Sequence, residues 1–143
     1  MNKYLVIVEH LPSTIFFTCL IIYFTNFSIF FCSLCFFFGW LIDIDHLIDY
    51  FFYKKKFNFD FDEFIFGNYF KYSNKIYIPF HSYEISFLII FLSFIFGEIE
   101  LLFISMAHMS HLLQDQFTNK VKKLSYFFVY RCLKSFNLES VCK

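Results

Sequence analysis

Apolar residues in this chain come in four long runs, and polar residues gather at the ends of those runs. The runs predict four helical spans, at about 5–25, 27–46, 81–96 and 99–117. A helix needs about 20 apolar residues to cross a bilayer, which the second run supplies. The turns at Asn26 and at Gly97-Glu98 are short, so the spans pair into two hairpins. We therefore predict an all-α, polytopic membrane protein with about four transmembrane helices in a single domain.

The start of the first span has two interpretations. Glu9, His10 and Pro12 interrupt its apolar pattern. Proline is tolerated in a first helical turn, but it kinks a helix interior. Either the helix begins near Leu11, or His10 lies just before a kink. The run 11–25 alone is shorter than the about 20 residues that a crossing helix needs.

The segments outside the spans mix charged and aromatic residues. Residues 53–80 show no clear period, and their Phe and Tyr content is typical of an interfacial segment, with a short amphipathic helix at 60–72 as an option. Residues 119–143 contain an apolar piece, 125–136, that is too short to cross. We expect it to lie on the membrane surface as a C-terminal interfacial helix.

Composition and charge agree with this class. Of the 143 residues, 59% are hydrophobic and 17% are charged, against roughly 45–50% and about 25% in typical soluble domains. The 27 phenylalanines fit lipid-facing positions filled under an AT-rich codon bias; an aromatic ligand box is the alternative. A formal net charge of zero gives no reason to expect nucleic acid binding. Membrane lipid is the expected partner, and a homodimer is an option because four short spans leave little core.

Basic residues predict the orientation. Lys and Arg are absent from the two short turns and lie at the N-terminus, in 53–80 or after the fourth span. The positive-inside rule then places both termini and the long loop in the cytoplasm. In this arrangement every histidine falls at a cytoplasmic helix end. These residues are His10, His46, His81, His108 and His111.

Ionisable residues at the end of a membrane helix indicate a functional site, because burying them costs free energy. The second span ends in Asp43, Asp45 and His46, and the third begins with His81 and Glu84. Neutral imidazole with carboxylate oxygen suits zinc, manganese or iron. Closely spaced carboxylates such as Asp43 and Asp45 could bridge two ions. A helix end solvated by headgroups is the alternative for this acidic cluster, and a helix N-terminal charge is the alternative for Glu84.

The fourth span adds a helical metal-binding pattern. His108, His111 and Asp115 are spaced i, i+3 and i+7, so they share one face. We predict one or two divalent ions, zinc most favoured, at the cytoplasmic face. The candidate ligands are His10, Asp43, Asp45, His46, His81, His108, His111 and Asp115. The candidate general bases are Asp45 and Glu84. An interfacial histidine is the alternative for His10.

Two motifs resemble a known family. Residues 41–46 (Leu-Ile-Asp-Ile-Asp-His) resemble the Leu-Pro-Asp-x-Asp-His signature of the bacterial inner-membrane-bound metal-dependent hydrolases. Residues 110–118 resemble that family's Ser-His-x-x-x-Asp-x-x-Thr segment. Its His-Arg-Gly-x-Thr-His-Ser segment is matched only by His81-Ser82, with Tyr77 at the arginine position. His10 corresponds to its N-terminal histidine.

The resemblance implies an integral protein of the bacterial inner membrane, distantly similar to the zinc-dependent phospholipase C and P1 nuclease group. It implies a metal-dependent hydrolase that acts on phosphoester bonds of a lipid or lipid-linked substrate. The alternative is a non-enzymatic membrane protein with a metal-stabilised structural cluster. An ion or proton transporter is the weaker alternative, because few polar residues line the spans.

Overall fold

The structure is a computed structural model that describes residues 10–25, 27–54, 59–65, 68–119 and 121–142. Residues 5–9 of the first predicted span, the predicted turn at Asn26 and parts of the predicted interfacial segments lie outside them. Within the described residues the fold is all-helical and contains no strand. Two isolated antiparallel bridges pair Lys75 with Asn137 and Val121 with Cys142.

The helices follow the apolar runs. In chain order they are α1 (Leu11–Phe24), α2 (Ile29–Gly39), α3 (His46–Lys54), α4 (Phe61–Ile65), α5 (Asn68–Ser73), α6 (Tyr83–Phe96), α7 (Ile99–Thr118), α8 (Phe128–Leu133) and α9 (Leu138–Val141). Helix α1 begins at Leu11, with Pro12 in its first turn, where a missing N–H costs nothing. Gly97 ends α6 in the left-handed conformation at φ 69°, which glycine adopts without strain.

The predicted span 27–46 is broken rather than continuous. Helix α2 ends at Gly39, and a 3₁₀ turn follows at Leu41–Asp45. The chain is bent by 64° between the segments Ile29–Gly39 and Leu41–Lys54. In a straight α-helix Asp43 and Asp45 would point to opposite sides. The tighter turn instead lets both carboxylates face His81. The bend therefore places the carboxylates of Asp43 and Asp45 next to His81.

Helix length bears on the membrane prediction. Taken singly, no helix of the described residues has both the length and the apolar content needed to cross a membrane. Among the residues that the structure describes, one bent pair meets that test, namely α2 joined to the stretch Leu41–Lys54.

Helix α7 is the centre of the packing. It contacts α1, α2 and α6, and α1 also packs on α2. The buried core between them includes Ile21, Cys35, Ile104 and Ala107. Gly39 allows α2 to approach α1 closely, since a Cβ at this position would lie 2.5 Å from Thr14 Oγ1. This crossing fixes the end of α2 that leads into the 3₁₀ turn.

The C-terminal segment packs on the protein itself. In place of one interfacial helix it forms two short helices, α8 and α9. Tyr126 and Val141 are buried with Ile76, Ile78 and Leu112 in a second apolar cluster. The loop before α6 therefore lies between the helical bundle and the C-terminal segment.

Candidate metal centre

Four side chains from three parts of the chain converge on one point. Asp43 of the 3₁₀ turn, His81 before α6, and His111 and Asp115 of α7 each offer a ligand atom within 4.8 Å of the others. His81 Nε2 lies 3.0 Å from Asp43 Oδ1, 3.6 Å from Asp115 Oδ2 and 3.3 Å from His111 Nε2. Two imidazoles with two carboxylates form a donor set for a divalent transition metal. These four residues are called the four-residue group below.

The far ring nitrogens of the two histidines have partners of their own. His111 Nδ1 lies 3.1 Å from the Gly39 carbonyl oxygen. His81 Nδ1 lies 2.9 Å from Asp45 Oδ1, although not aligned for a full hydrogen bond. Metal-binding histidines are typically held in this way, because a proton on the far nitrogen leaves the near nitrogen free to bind the ion.

Burial and charge point to a cation. His81 and His111 are fully buried and Asp115 is 8% exposed. Asp43 and Asp115 bring two negative charges within 4.8 Å of each other, and two carboxylates this close repel each other without a positive partner. The donor chemistry, the charge and the ring orientations therefore fit a divalent ion. The side chain of Asp43 is 41% exposed, so the group opens to the outside there.

His10 and His46 flank the four-residue group. The His10 ring stacks on His111 with centroids 3.7 Å apart, and its Nε2 lies 3.4 Å from Asp115 Oδ1. His46 Nε2 lies 3.9 Å from Asp43 Oδ1. Both are predicted ligands, and both lie beside the four-residue group rather than in it. Asp45, His46 and His81 form a second group whose ligand atoms also lie within 4.8 Å.

Asp45 was predicted both as a ligand and as a base. Its side chain is fully buried, and Oδ2 accepts the backbone N–H groups of Phe80 and His81. Its other oxygen faces His81 Nδ1. These contacts hold the His81 ring and backbone in place.

His108, a third predicted ligand on α7, does not join the four-residue group. Its Nδ1 lies 2.8 Å from Ser86 Oγ and its Nε2 lies 3.1 Å from the Phe80 carbonyl oxygen. Both ring nitrogens therefore have partners within the protein. Helical spacing gives His108 a common face with His111, but Ser86 of α6 and Phe80 of the loop before α6 are the partners that its ring nitrogens contact.

The structure also places Glu84, the other predicted base, away from the group. Its two carboxylate oxygens accept the backbone N–H groups of Phe128 and Val129, each at 3.0 Å. These are the first N–H groups of α8, which have no partner within the helix. Glu84 thus ties the C-terminal segment to α6.

This contact makes a prediction for Glu84. We expect Glu84→Ala to lower the free energy of unfolding by about 1 kcal/mol, as for a lost helix cap, and to leave metal binding unchanged. Denaturant unfolding and metal content of the purified variant measure the two effects. The Glu84→Gln variant, which keeps one acceptor oxygen, is the control and should lose less stability. A folded Glu84→Gln protein without hydrolytic activity would restore Glu84 as a base.

Asp49 anchors the loop that carries His81. Its buried carboxylate accepts the backbone N–H groups of Tyr77 at 2.7 Å and Ile78 at 3.2 Å. Burial raises the pKa of Asp49 from 3.8 to about 6. The hydrogen bonds from the two N–H groups lower the pKa, but their effect is smaller than that of burial. The folded protein therefore keeps a proton on Asp49 that the unfolded chain has already released between pH 4 and 6.

A pH dependence of stability follows. The folded protein favours protonated Asp49. The contribution of Asp49 to stability is therefore complete below about pH 4 and is lost as the pH rises through about 6. At pH 7.5 the ionised carboxyl should cost about 3 kcal/mol. The free energy of unfolding of the wild type and of Asp49→Asn is measured at pH 4 and at pH 7.5. Between these two pH values, the stability of the variant relative to the wild type should rise by that amount. Asp60→Asn, at an exposed carboxylate, is the control. A wild-type–variant difference that does not change with pH would contradict the raised pKa.

Three contacts of the cluster were not predicted. Gln114 Oε1 lies 2.6 Å from His10 Nδ1, and the Tyr69 hydroxyl lies 3.1 Å from His46 Nδ1. Arg131 is fully buried and donates from Nη2 to the His81 carbonyl oxygen at 2.9 Å. Gln114 lies next to the predicted ligands in the sequence. Nothing in the sequence pattern connects Tyr69 or Arg131 with them.

Comparisons with protein-family models, with curated proteins and with solved structures give no match to this chain.

Proposed function

We propose that this protein is a membrane-embedded, metal-dependent hydrolase that cleaves a phosphoester bond of a lipid or lipid-linked substrate. The observation that carries the proposal is the convergence of Asp43, His81, His111 and Asp115 within 4.8 Å. Zinc is the ion we favour for this mixed nitrogen and oxygen donor set. The ion would act as a Lewis acid that polarises the scissile bond and lowers the pKa of water at the site.

The protein's own residues divide the remaining work. Asp43 lies at the opening, and His46 borders it with a side chain that is 28% exposed. A histidine at such an opening suits proton transfer to and from a substrate, and we assign His46 that role. Asp45 is fully buried, which suits the positioning of His81 better than proton exchange with a substrate.

The outer surface of the helices supports a lipid environment. Large apolar side chains are exposed on α1, α2 and α6, among them Phe16, Phe30, Phe91 and Phe94, which is 79% exposed. Soluble monomers rarely expose a contiguous apolar patch of this kind. We assign this surface to lipid, and we retain the polytopic arrangement in a bacterial inner membrane, with cytoplasmic termini, as part of the proposal.

A cavity that none of the four proposed metal ligands lines would suit the apolar part of an amphiphilic substrate. It has a volume of about 500 Å³ and lies between α3, the 73–79 loop and the C-terminal segment. Its lining is mostly apolar and includes Phe52, Tyr77, Phe128 and Phe136, with Lys75 as a basic residue. The volume falls within the roughly 300–1,000 Å³ of small-molecule sites. An acyl or isoprenoid chain is the group that such a lining would hold.

The test combines metal content with hydrolysis. The full chain is purified in detergent without chelators and assayed by mass spectrometry for metal and against phosphodiester and lipid phosphate substrates. We expect the wild type to contain bound transition metal. A chelator should abolish hydrolysis and added metal should restore it. Asp43→Asn should lower metal affinity by more than the about 10–100-fold that is typical of changes outside the ligand shell. A metal-free wild type would overturn the proposal.

The burial of the group favours a second candidate, a metal-stabilised structural cluster. Three of the four ligands are at most 8% exposed, as in closed structural sites. Such a cluster would bind metal without hydrolysing any substrate, and its removal would unfold the protein because binding free energy is then folding free energy. A protein that stays folded but loses activity on chelation would favour the enzyme over the structural cluster.

A further inference from the structure

Four buried polar atoms lie around His81 without a hydrogen-bond partner among the described residues. Two of them, Asp45 Oδ1 and His81 Nδ1, face each other at 2.9 Å without hydrogen-bond alignment, and the other two are Arg131 Nε and Arg131 Nη1. Arg131 is the chain's single arginine, and its side chain is fully buried. Burying a guanidinium with unpaired nitrogens is unfavourable, and this one donates to the backbone of a proposed metal ligand.

The acidic groups near Arg131 differ in what they already bind. Asp49 and Glu84 use both oxygens for backbone N–H groups. Asp45 has one oxygen without a backbone donor. Its other oxygen accepts the His81 backbone N–H at 3.2 Å, and Arg131 donates to the carbonyl oxygen of the same residue at 2.9 Å. The two opposite charges therefore both contact the backbone of His81.

The same place is a candidate for a second ion. Asp45, His46 and His81 satisfy the distance criterion for metal binding. Since His81 Nε2 faces the four-residue group, a second ion would have to bind Nδ1. The two nitrogens of one imidazole point in diverging directions, so ions on both would lie farther apart than the about 3.5–4 Å of two-metal hydrolytic sites. The ring would also have to give up its remaining proton.

Charge gives an independent argument against that ion. Asp45 and Arg131 together are neutral, so a divalent ion beside them would leave two positive charges uncompensated in a buried site. The repulsion between that ion and the guanidinium adds to the cost. The first site has the opposite balance, because Asp43 and Asp115 neutralise one divalent ion.

We propose that the centre holds a single metal ion and that Arg131 stands in for a second one. In this arrangement Arg131 fixes the His81 carbonyl and neutralises Asp45, and Asp45 faces a protonated His81 Nδ1. The near nitrogen, Nε2, is then presented to the one ion. Arg131 is thus a positioning residue supplied by α8. The inference rests on the proposed function only in requiring that a metal binds.

The first test is stoichiometry. The full chain is loaded with excess Co²⁺, dialysed, and measured by mass spectrometry, by electron paramagnetic resonance and by X-ray absorption. We expect one equivalent, the signal of isolated high-spin Co²⁺ and no metal–metal scattering. Two equivalents, with or without metal–metal scattering, would overturn the inference and leave the proposed function standing. No bound metal would overturn both.

The second test separates charge from packing. We expect Arg131→Met to weaken Co²⁺ binding by about 10–100-fold, and Arg131→Lys, which keeps a positive donor, to recover most of that loss. Lys134→Met, at an exposed position just after α8, is the matched control and should bind as the wild type does. Wild-type affinity in Arg131→Met, or no recovery in Arg131→Lys, would overturn the role of Arg131. The stoichiometry test stands even where Arg131→Met fails to fold.

Discussion

Replacing His111 with glutamine should lower the affinity for Zn²⁺ or Co²⁺ by at least about 100-fold, whereas the same change at His108 should leave it nearly unchanged. The two histidines lie one turn apart on α7, and both are fully buried. They differ only in their partners. His111 Nε2 points into the four-residue group, and His108 uses both ring nitrogens for contacts to Ser86 and Phe80.

His108→Gln should instead lower the free energy of unfolding by about 1–3 kcal/mol, because it breaks buried hydrogen bonds. Competition with a chromophoric chelator measures the affinity of each variant, and denaturant unfolding in detergent measures stability. Since chemistry, burial and helix are the same at the two positions, each variant is the control of the other. Equal loss of metal from both would mean that His108 is also a ligand.

Gly39→Ala should destabilise the protein by about 1–3 kcal/mol and weaken metal binding at the same time. The new Cβ would lie 2.5 Å from Thr14 Oγ1 and 3.0 Å from its Cγ2. Helices α1 and α2 would have to separate. The Gly39 carbonyl, which faces His111 Nδ1 at 3.1 Å, would move with α2.

The space at this crossing can be restored by a second change. Thr14→Ala removes the two nearest of the three Thr14 atoms that a Cβ would meet, Oγ1 and Cγ2, and leaves Thr14 Cβ at 3.1 Å. The double variant should therefore be more stable than the sum of the single effects predicts. Gly97→Ala is the control. It should lose stability through its positive φ of 69°, and Thr14→Ala should not rescue it. A Gly39→Ala protein with wild-type stability would show that the crossing is looser than described.

The sequence predicts the elements of the candidate site better than their contacts. Helical spacing puts His111 and Asp115 on one face, and the structure brings them to Asp43 and His81. Those predictions are local in origin: apolar runs define the helices, and polar residues at the run ends define where the helices meet. The all-helical fold follows from the same pattern.

What the sequence could not provide depends on neighbours distant in the chain. His108 has the same spacing signal as His111, and only the Ser86 hydroxyl and the Phe80 carbonyl distinguish the two. Glu84 resembles a helical metal-site carboxylate until α8 presents its N–H groups. Arg131 lies in a segment whose pattern is typical of a membrane surface, yet the segment folds back and buries it.

The order of these residues along the chain has a consequence for biosynthesis. Asp43 and Asp45 leave the ribosome in the first hairpin, while His111, Asp115 and Arg131 belong to the last third of the sequence. Until that part is translated, the early carboxylates have neither the later histidines nor the arginine to neutralise them. If the proposed site binds an ion, loading would therefore be a late event in maturation, and a nascent chain stalled before α7 would be metal-free.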